Sequence, residues 1–518
     1  MCGLWLLLPA LLWATIASGA DGAPSVRVES GMLRGQTLAQ GGAVFLGIPY
    51  AQAPVGELRW RDPQPLAHWR GVREANHYAG ACLQPSMGWN NSLIATASED
   101  CLYLNVWTPK LDAAAHLPVM VWIHGGAFVG GSATDPLFSG EHFSAKGVVL
   151  VSLNYRLGVL GFLAHPQLSR ESGHGSGNYG LLDQNAALRW VRANISRFGG
   201  DASAVTVFGQ SAGGGSVTVL LASPRARGLL RSAIVESGAM ITPTPMQTLA
   251  QAEANAVQMM GKQSIQALRR LSGDELMQRV QQYAMAHHGA NLGPVVDGYV
   301  LTEDPVALFA RHGEQPLPLI IGNNAREGFA PVHDVDLAKV LGEFYAEQAP
   351  AALSVYGGAH AAPDAADPVL GSPAAQWATD SAFRCAAVIT AERHRAGGVP
   401  VFEYQFEQSL PGREGEGAAH TYEIPYVFGN LLDSGPLAAP FSAPDRALSD
   451  LMMSYWTNFA KHGDPNAAGL PPWPRFEAES RAYLRLSTAA SGDAIAAGGL
   501  RREACDLYQH RVSQLLEH

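Results

Sequence analysis

Six apolar runs of strand length punctuate this chain: "PVMVWIHGG" (118–126), "GVVLVSLNYR" (147–156), "AVTVFGQ" (204–210), "RSAIVESG" (231–238), "LPLIIGNN" (317–324) and "PVFEYQF" (400–406). They stay apolar on both sides of the period-two alternation. Strands of that kind are covered on both faces, as in the middle of a mostly parallel sheet. Helical patterns lie between several of them. "YGLLDQNAALRWVRANISRFGGD" (179–201) ends at Gly199-Gly200, and "SGDELMQRVQQYAMAHH" (272–288) starts at Ser272, a helix cap. Strand–helix alternation implies a doubly wound α/β domain, with a central mostly parallel sheet flanked by helices. No internal repeat and no long linker interrupts it, so one large domain is expected over 21–518.

Composition agrees with a packed enzyme-sized core. Of 518 residues, 47% are hydrophobic and 15% charged, a globular balance. A formal net charge of −10 and a pI near 5.9 give no basic footprint for nucleic acid. No basic amphipathic run points to a membrane surface.

The chain begins "MCGLWLLLPALLWATIASGADGAPS", an apolar run followed by small residues, with Ser18-Gly19-Ala20 as a cleavage site. This is a signal-peptide pattern over 1–20, although no Lys or Arg precedes the run. The run is too short for a comfortable membrane span. The rival reading, a buried N-terminal helix, has no cap to start it. The expected location is secreted or periplasmic, without stable membrane insertion. Losing the leader removes Cys2 and leaves Cys82, Cys101, Cys385 and Cys505. An even set in an exported protein suggests two disulfides with three possible pairings, and the spacing favours Cys82 with Cys101 and Cys385 with Cys505. No Cys/His cluster has zinc-ligand spacing, and no metal or cofactor is implied.

One of the strand runs ends in a candidate nucleophile. "AVTVF" leads into Gly209-Gln210-Ser211-Ala212-Gly213, and "SAGGGSVTVLLASP" reads as a helix stopped by Pro224. The five letters G-x-S-x-G are weak alone in a chain with 56 glycines. A serine on a strand–turn–helix is the stronger signal, because that turn exposes Oγ at the carboxyl edge of the sheet. The helix N-terminus behind it favours developing negative charge. A serine still needs a base, a group to orient that base and an oxyanion hole. "WIHGGAF" (122–128) follows a buried strand, and its small residues let backbone N–H groups approach a substrate oxygen.

With these motifs in hand, the chain resembles the type-B carboxylesterases, the esterase/lipase family that includes the cholinesterases. The resemblance covers nearly the whole mature chain. It rests on "FLGIPYAQAPVGELRW" (45–60), "SEDCLYLNVWTP" (98–109), "HGGAF" (124–128), "NYRLGVLGFL" (154–163) and "GNYGLLDQNAALRWVRANISRFGGD" (177–201). "VTVFGQSAGG" (205–214), "IGNNAREG" (321–328), "HTYEIPYVFG" (420–429) and "WTNFAKHGDPN" (456–466) follow in family order. The resemblance implies an α/β-hydrolase fold and a serine esterase. It implies Ser211 as nucleophile, Glu327 of "GNNAREG" as the acid and His420 before "EIPYVFG" as the base. It implies the N–H groups of Gly126, Ala127 and Ala212 as the oxyanion hole, and Ser237 of "VESG" as a buried brace. It supports the same two disulfides.

Each assignment has a plainer rival. Glutamate is usually a surface residue, but Glu327 follows the buried run "LPLIIG". His124 is the rival histidine and reads as structural, since it closes a strand. A serine placed like Ser237 is more often a turn hydrogen-bonder. The cholinesterases carry a cation-binding tryptophan in the first disulfide loop. Here Gln210 stands where they have glutamate, so Trp89 reads as exposed or packing and a quaternary ammonium substrate is not expected.

The expected activity is hydrolysis of soluble short- to medium-chain carboxylic esters through a Ser-His-Glu triad, with a small-molecule ester as partner. The alternatives are a lipase on long-chain acylglycerols and a non-catalytic adhesion module on the same fold. Lipases of the family close the first disulfide loop over the site as a long apolar lid. Here that loop reads "LQPSMGWNNSLIATASED" (83–100), short and mostly polar or small, which favours the esterase.

Overall fold

The computed structural model describes residues 22–328, 336–357, 366–488 and 495–516, so the proposed leader, 1–20, lies outside the described residues. The six apolar runs form the strands Leu117–Ile123, Val149–Leu153, Gly200–Gln210, Ser232–Glu236, Leu319–Asn324 and Val401–Phe406. They stand side by side in an eleven-stranded sheet. The six run parallel to one another, and Tyr483–Leu486 extends the parallel block by one strand.

The alternation within each strand separates two apolar layers rather than core from water. Val119, Val121, Val207, Val235 and Ile321 face one core. Met120, Trp122, Phe208, Ile234 and Phe402 face the other. This is why the runs show no polar face in the sequence.

Antiparallel strands complete the sheet. Tyr103–Thr108, Ala43–Pro49 and Gln36–Thr37 follow beyond Val149–Leu153. At the other end, Ile495–Ala497 pairs with Tyr483–Leu486. The two outermost strands have two and three residues. A separate three-stranded sheet holds Ser25–Val28, Gly31–Arg34 and Val72–Glu74.

The helix stops and starts follow local chemistry. Tyr179–Asn194 runs into a 3-10 turn that ends at Gly199, whose φ of 84° a side chain would resist. Gly273–His287 begins with a capping box: Ser272 Oγ accepts from Glu275 N–H and the Glu275 carboxylate accepts from Ser272 N–H. Disulfides join Cys82 to Cys101 and Cys385 to Cys505, each with Cα atoms 4.9 Å apart. Among the described residues no helix is long and apolar enough to cross a membrane.

Candidate active site

Ser211 follows the last residue of the strand Gly200–Gln210 and precedes the first residue of the helix Ala212–Ala222. Its φ of 56° and ψ of −124° lie where a side chain costs about 1–3 kcal/mol. Two backbone hydrogen bonds hold that geometry. Ser211 N–H donates to Glu236 O at 2.9 Å, and Ser211 O accepts from Gly215 N–H at 2.8 Å. A Cβ on Gly213 would lie 2.0 Å from Ile123 O, so glycine is needed where the turn jams against the next strand end. The helix is buried along its whole length, which suits an all-round apolar sequence, while Ser211 itself is half-buried.

Glu327 and His420 meet just beyond the same sheet edge. His420 Nδ1 is 2.6 Å from Glu327 Oε2, and its Nε2 lies 3.2 Å from Nε2 of Gln210, the residue before Ser211. The other Glu327 oxygen accepts from Ser237 Oγ and from Asn324 N–H, both at 2.6 Å. Parallel pairing of Ser232–Glu236 with Leu319–Asn324 brings Ser237 and Glu327 to adjacent strand ends. Ser237 N–H donates to Gly322 O at 2.9 Å, with Ser237 in a left-handed φ of 47°. Glu327, His420 and Ser237 are all buried.

The loop after Leu117–Ile123 makes a tight turn in which Gly126, Ala127 and Phe128 have φ of 112°, 54° and 61°. Val129 and Gly130 N–H groups donate back to Gly126 O, and a Cβ on Gly126 would sit 2.1 Å from Gly130 O. Ala127 is exposed at the top of this turn. His124 is buried, with Nδ1 2.8 Å from Gly125 O and its ring stacked on Tyr155 at 4.5 Å. Burial pushes its pKa down to about 4, which keeps it neutral and agrees with a structural role.

Several residues at this site have no signal in the motifs. Gln84 is buried and grips the peptide of Gly131: its Oε1 accepts from Gly131 N–H at 2.8 Å and its Nε2 donates to Gly131 O at 2.9 Å. Asn90 Nδ2 donates to the same Oε1 at 2.9 Å. The first disulfide loop is therefore bolted to the loop that carries Gly126 and Ala127. Trp89 is 43% exposed, and a Cβ on Gly130 would lie 3.4 Å from its ring, so it stands at the edge of that loop.

A π-helical turn, Asp380–Arg384, supports the other side. Phe383 lies 4.9 Å from the His420 ring, Thr379 Oγ1 accepts from Glu327 N–H at 3.0 Å, and Arg384 donates to Ala325 O at 2.8 Å. Glu423, three residues after His420, is a second buried carboxylate. It accepts from Asn324 Nδ2 at 2.5 Å. Burial and the Glu327 charge push its pKa up to about 7, against the opposing effect of His420. Unlike Gln84 and Phe383 it stands inside a sequence motif, as the first residue of "EIPYVFG".

A serine on a strand–turn–helix of a doubly wound sheet, with a glutamate just past a later strand and a histidine against it, is the arrangement of an α/β-hydrolase. The chain belongs to the carboxylesterase family, whose profile matches residues 22–507, and is a carboxylic-ester hydrolase. It is 37% identical to the fumonisin B1 esterase of Sphingopyxis macrogoltabida, over 95% of this chain and 92% of that protein. It is 38% identical to the para-nitrobenzyl esterase of Bacillus subtilis (strain 168), over 89% of this chain and 94% of that one. Among solved structures, a PNB esterase superposes with a TM-score of 0.82 at 34% identity, covering 94% of this chain and 99% of its own.

Proposed function

We propose that the chain hydrolyses soluble short- to medium-chain carboxylic esters with Ser211 as nucleophile, His420 as general base and acid, and Glu327 as the group that orients His420. The observation that carries this reading is the contact of His420 Nδ1 with Glu327 at 2.6 Å while Nε2 points to the end of the elbow strand. With Nδ1 committed to the carboxylate, Nε2 is the atom that takes the Ser211 proton as Oγ attacks the ester carbonyl. The new C–O bond puts negative charge on the carbonyl oxygen. The N–H groups of Gly126, Ala127 and Ala212 receive it, helped by the positive end of the helix Ala212–Ala222. The C–O bond to the alcohol then breaks, and His420 gives the alcohol its proton. Water repeats the cycle on the acyl-enzyme, releasing the acid and restoring Ser211.

Ser237 and Asn324 N–H fix the Glu327 oxygen that faces away from His420. The clamp of Gln84 on Gly131 supports the esterase reading over the lipase, since a loop held this way is a wall and not a lid. Two disulfides support an exported protein and the leader at 1–20.

The test is covalent labelling with a phosphonofluoridate, which phosphonylates an activated serine with loss of fluoride. The expected result is one label, on the peptide carrying Ser211, at a rate that collapses in His420→Ala. Label on another residue, or an unchanged rate in His420→Ala, overturns the assignment.

A further inference from the structure

Just past the helix Ala212–Ala222, three side chains stack on one another, with Tyr299 in the middle. The His174 ring lies 3.7 Å from the Tyr299 ring and 11° from its plane, and the guanidinium carbon of Arg225 lies 3.9 Å from the same ring centre. Both are at van der Waals contact, and two groups that close cannot share one face of a phenol. His174 therefore backs one face and Arg225 covers the other.

The ring and its backing are anchored. Tyr299 N–H donates to Asp297 Oδ1 at 3.0 Å, and the Tyr299 hydroxyl lies 3.5 Å from Asp62 Oδ2. The same Asp62 oxygen is 3.3 Å from His174 Nε2, and His174 Nδ1 is 2.7 Å from Gly175 O. The Arg225 guanidinium has no polar anchor. Its Nε is buried without a hydrogen-bond partner, and its terminal nitrogens, which also make no hydrogen bond, are not buried. A guanidinium laid flat on a phenol has already given up much of its rotational freedom, and a desolvated N–H that binds nothing is a standing cost. Both conditions favour an anion arriving at the outer edge of Arg225.

A second arginine stands beside it. The Arg189 side chain, on the helix Tyr179–Asn194, makes no hydrogen bond or ion pair among the described residues. Burial, and then the charge of Arg225, hold it below the ordinary arginine range. Asp62, the carboxylate whose field reaches Arg189, is already engaged by His174 and faces Tyr299. Arg192, one turn further along the same helix, donates to Gly228 O, and Arg227 beside that glycine is exposed. Positive charge thus gathers at one corner of a chain whose net charge is −10.

We propose that Arg225 and Arg189 form a binding site for a phosphate-type oxyanion. The fork of Arg225 presents paired N–H donors to two oxygens, and Arg189 supplies the second positive charge that a dianion needs. The helix Ala212–Ala222, about 16 Å long, separates this corner from Ser211, so the anion is a ligand of the far side and not a substrate. The phosphate is either free or carried on a lipid headgroup, and the chemistry at the two arginines is the same.

The probe is inorganic phosphate, titrated calorimetrically into the native protein at neutral pH and constant ionic strength. One saturable site is expected. Arg225→Gln and Arg189→Gln should each weaken it by about tenfold or more. Arg225→Lys, which keeps the charge and loses the fork, should weaken it nearly as much. Arg70→Gln, which removes an exposed arginine elsewhere, should leave it within about twofold. A thermal melt checks that each variant folds, and Arg189→Gln carries the test alone if the Arg225 variants do not. Wild-type protein that shows no saturable binding at millimolar phosphate overturns the proposal, as does binding that Arg189→Gln leaves unchanged. Flotation with phosphatidylcholine vesicles, with and without phosphatidic acid, then identifies the source. Capture on phosphatidic acid that Arg189→Gln abolishes assigns a lipid-borne phosphate, and phosphate binding without capture assigns a soluble one.

Discussion

Ser237 Oγ donates to Glu327 Oε1 at 2.6 Å, on the oxygen opposite the one that meets His420. The serine thus fixes the rotation of the carboxylate about its own axis, and with it the plane of the imidazole. Losing a hydrogen bond to a charged group costs about 1.5–3 kcal/mol. Ser237→Ala is expected to lower kcat by roughly 10- to 100-fold with little change in KM, because Asn324 N–H still holds the same oxygen. A variant with wild-type kcat would remove Ser237 from the site. Glu327→Gln should cost several orders of magnitude, since it leaves the charged imidazole uncompensated.

Ser211→Ala is expected to fold normally and to lose on the order of 10⁶-fold in kcat. Alanine at 211 still has to adopt a φ of 56°, so the strain at the elbow remains and the unfolding midpoint should barely move. Steady-state hydrolysis of an activated ester, beside a thermal melt, checks both halves. Retention of a tenth of wild-type turnover would refute the nucleophile.

Buried carboxyls give a pH dependence of stability with a definite sign. Burial and the nearby Glu327 charge raise Glu423 to about 7, and burial also raises Glu236 and Glu403. An unfolded glutamate titrates near ~4.3. Between that value and 7 the folded protein keeps a proton on Glu423 that the unfolded chain has released. Stability from this group therefore falls as pH rises through that window and levels off above it. Glu423→Gln should flatten the decline in the denaturant midpoint between pH 5 and 7. An unchanged slope would show that Glu423 is not the group responsible.

The Gln84 clamp makes two separate predictions. Gln84→Leu strands the N–H and C=O of Gly131, at about 1–3 kcal/mol for each orphaned group. Stability should fall by at least about 2 kcal/mol. As the turn at Gly126–Ala127 loosens, kcat should drop roughly tenfold, with KM little altered. In wild type, the rate on a short-chain triglyceride should saturate below its solubility limit. A sharp rise at droplet formation, with long-chain esters preferred, would make the protein a lipase.

Mass spectrometry of native protein should find no free thiol and an N-terminus near Asp21, since both disulfides and the proposed leader belong to an exported chain. Reduced cysteines in freshly isolated protein would contradict that compartment.

How far the sequence leads depends on how local the physics is. The six runs that form the parallel block are apolar on both faces, so each declares itself alone. Tyr103–Thr108 and Ala43–Pro49 are also largely buried, but their antiparallel order in the sheet is set by distant partners that no local pattern marks. Ser211, Glu327 and His420 sit in contiguous motifs whose glycines and strand ends are visible in one dimension. Phe383 and Gln84 are not. One reaches His420 from a π-helical turn, and the other reaches Gly131 from a position 47 residues earlier. Such contacts exist only once the sheet has assembled, so composition and spacing carry no trace of them.

The great sheet also ends in a particular way. Its outermost strands, Gln36–Thr37 and Ile495–Ala497, are two and three residues long. A sheet edge is a template for other chains in proportion to the row of unpaired peptide groups it displays. Among the described residues, edges this short offer few such groups, so the great sheet is a poor template for pairing with another chain. The same bluntness guards a chain with so many β-forming runs against edge-to-edge aggregation.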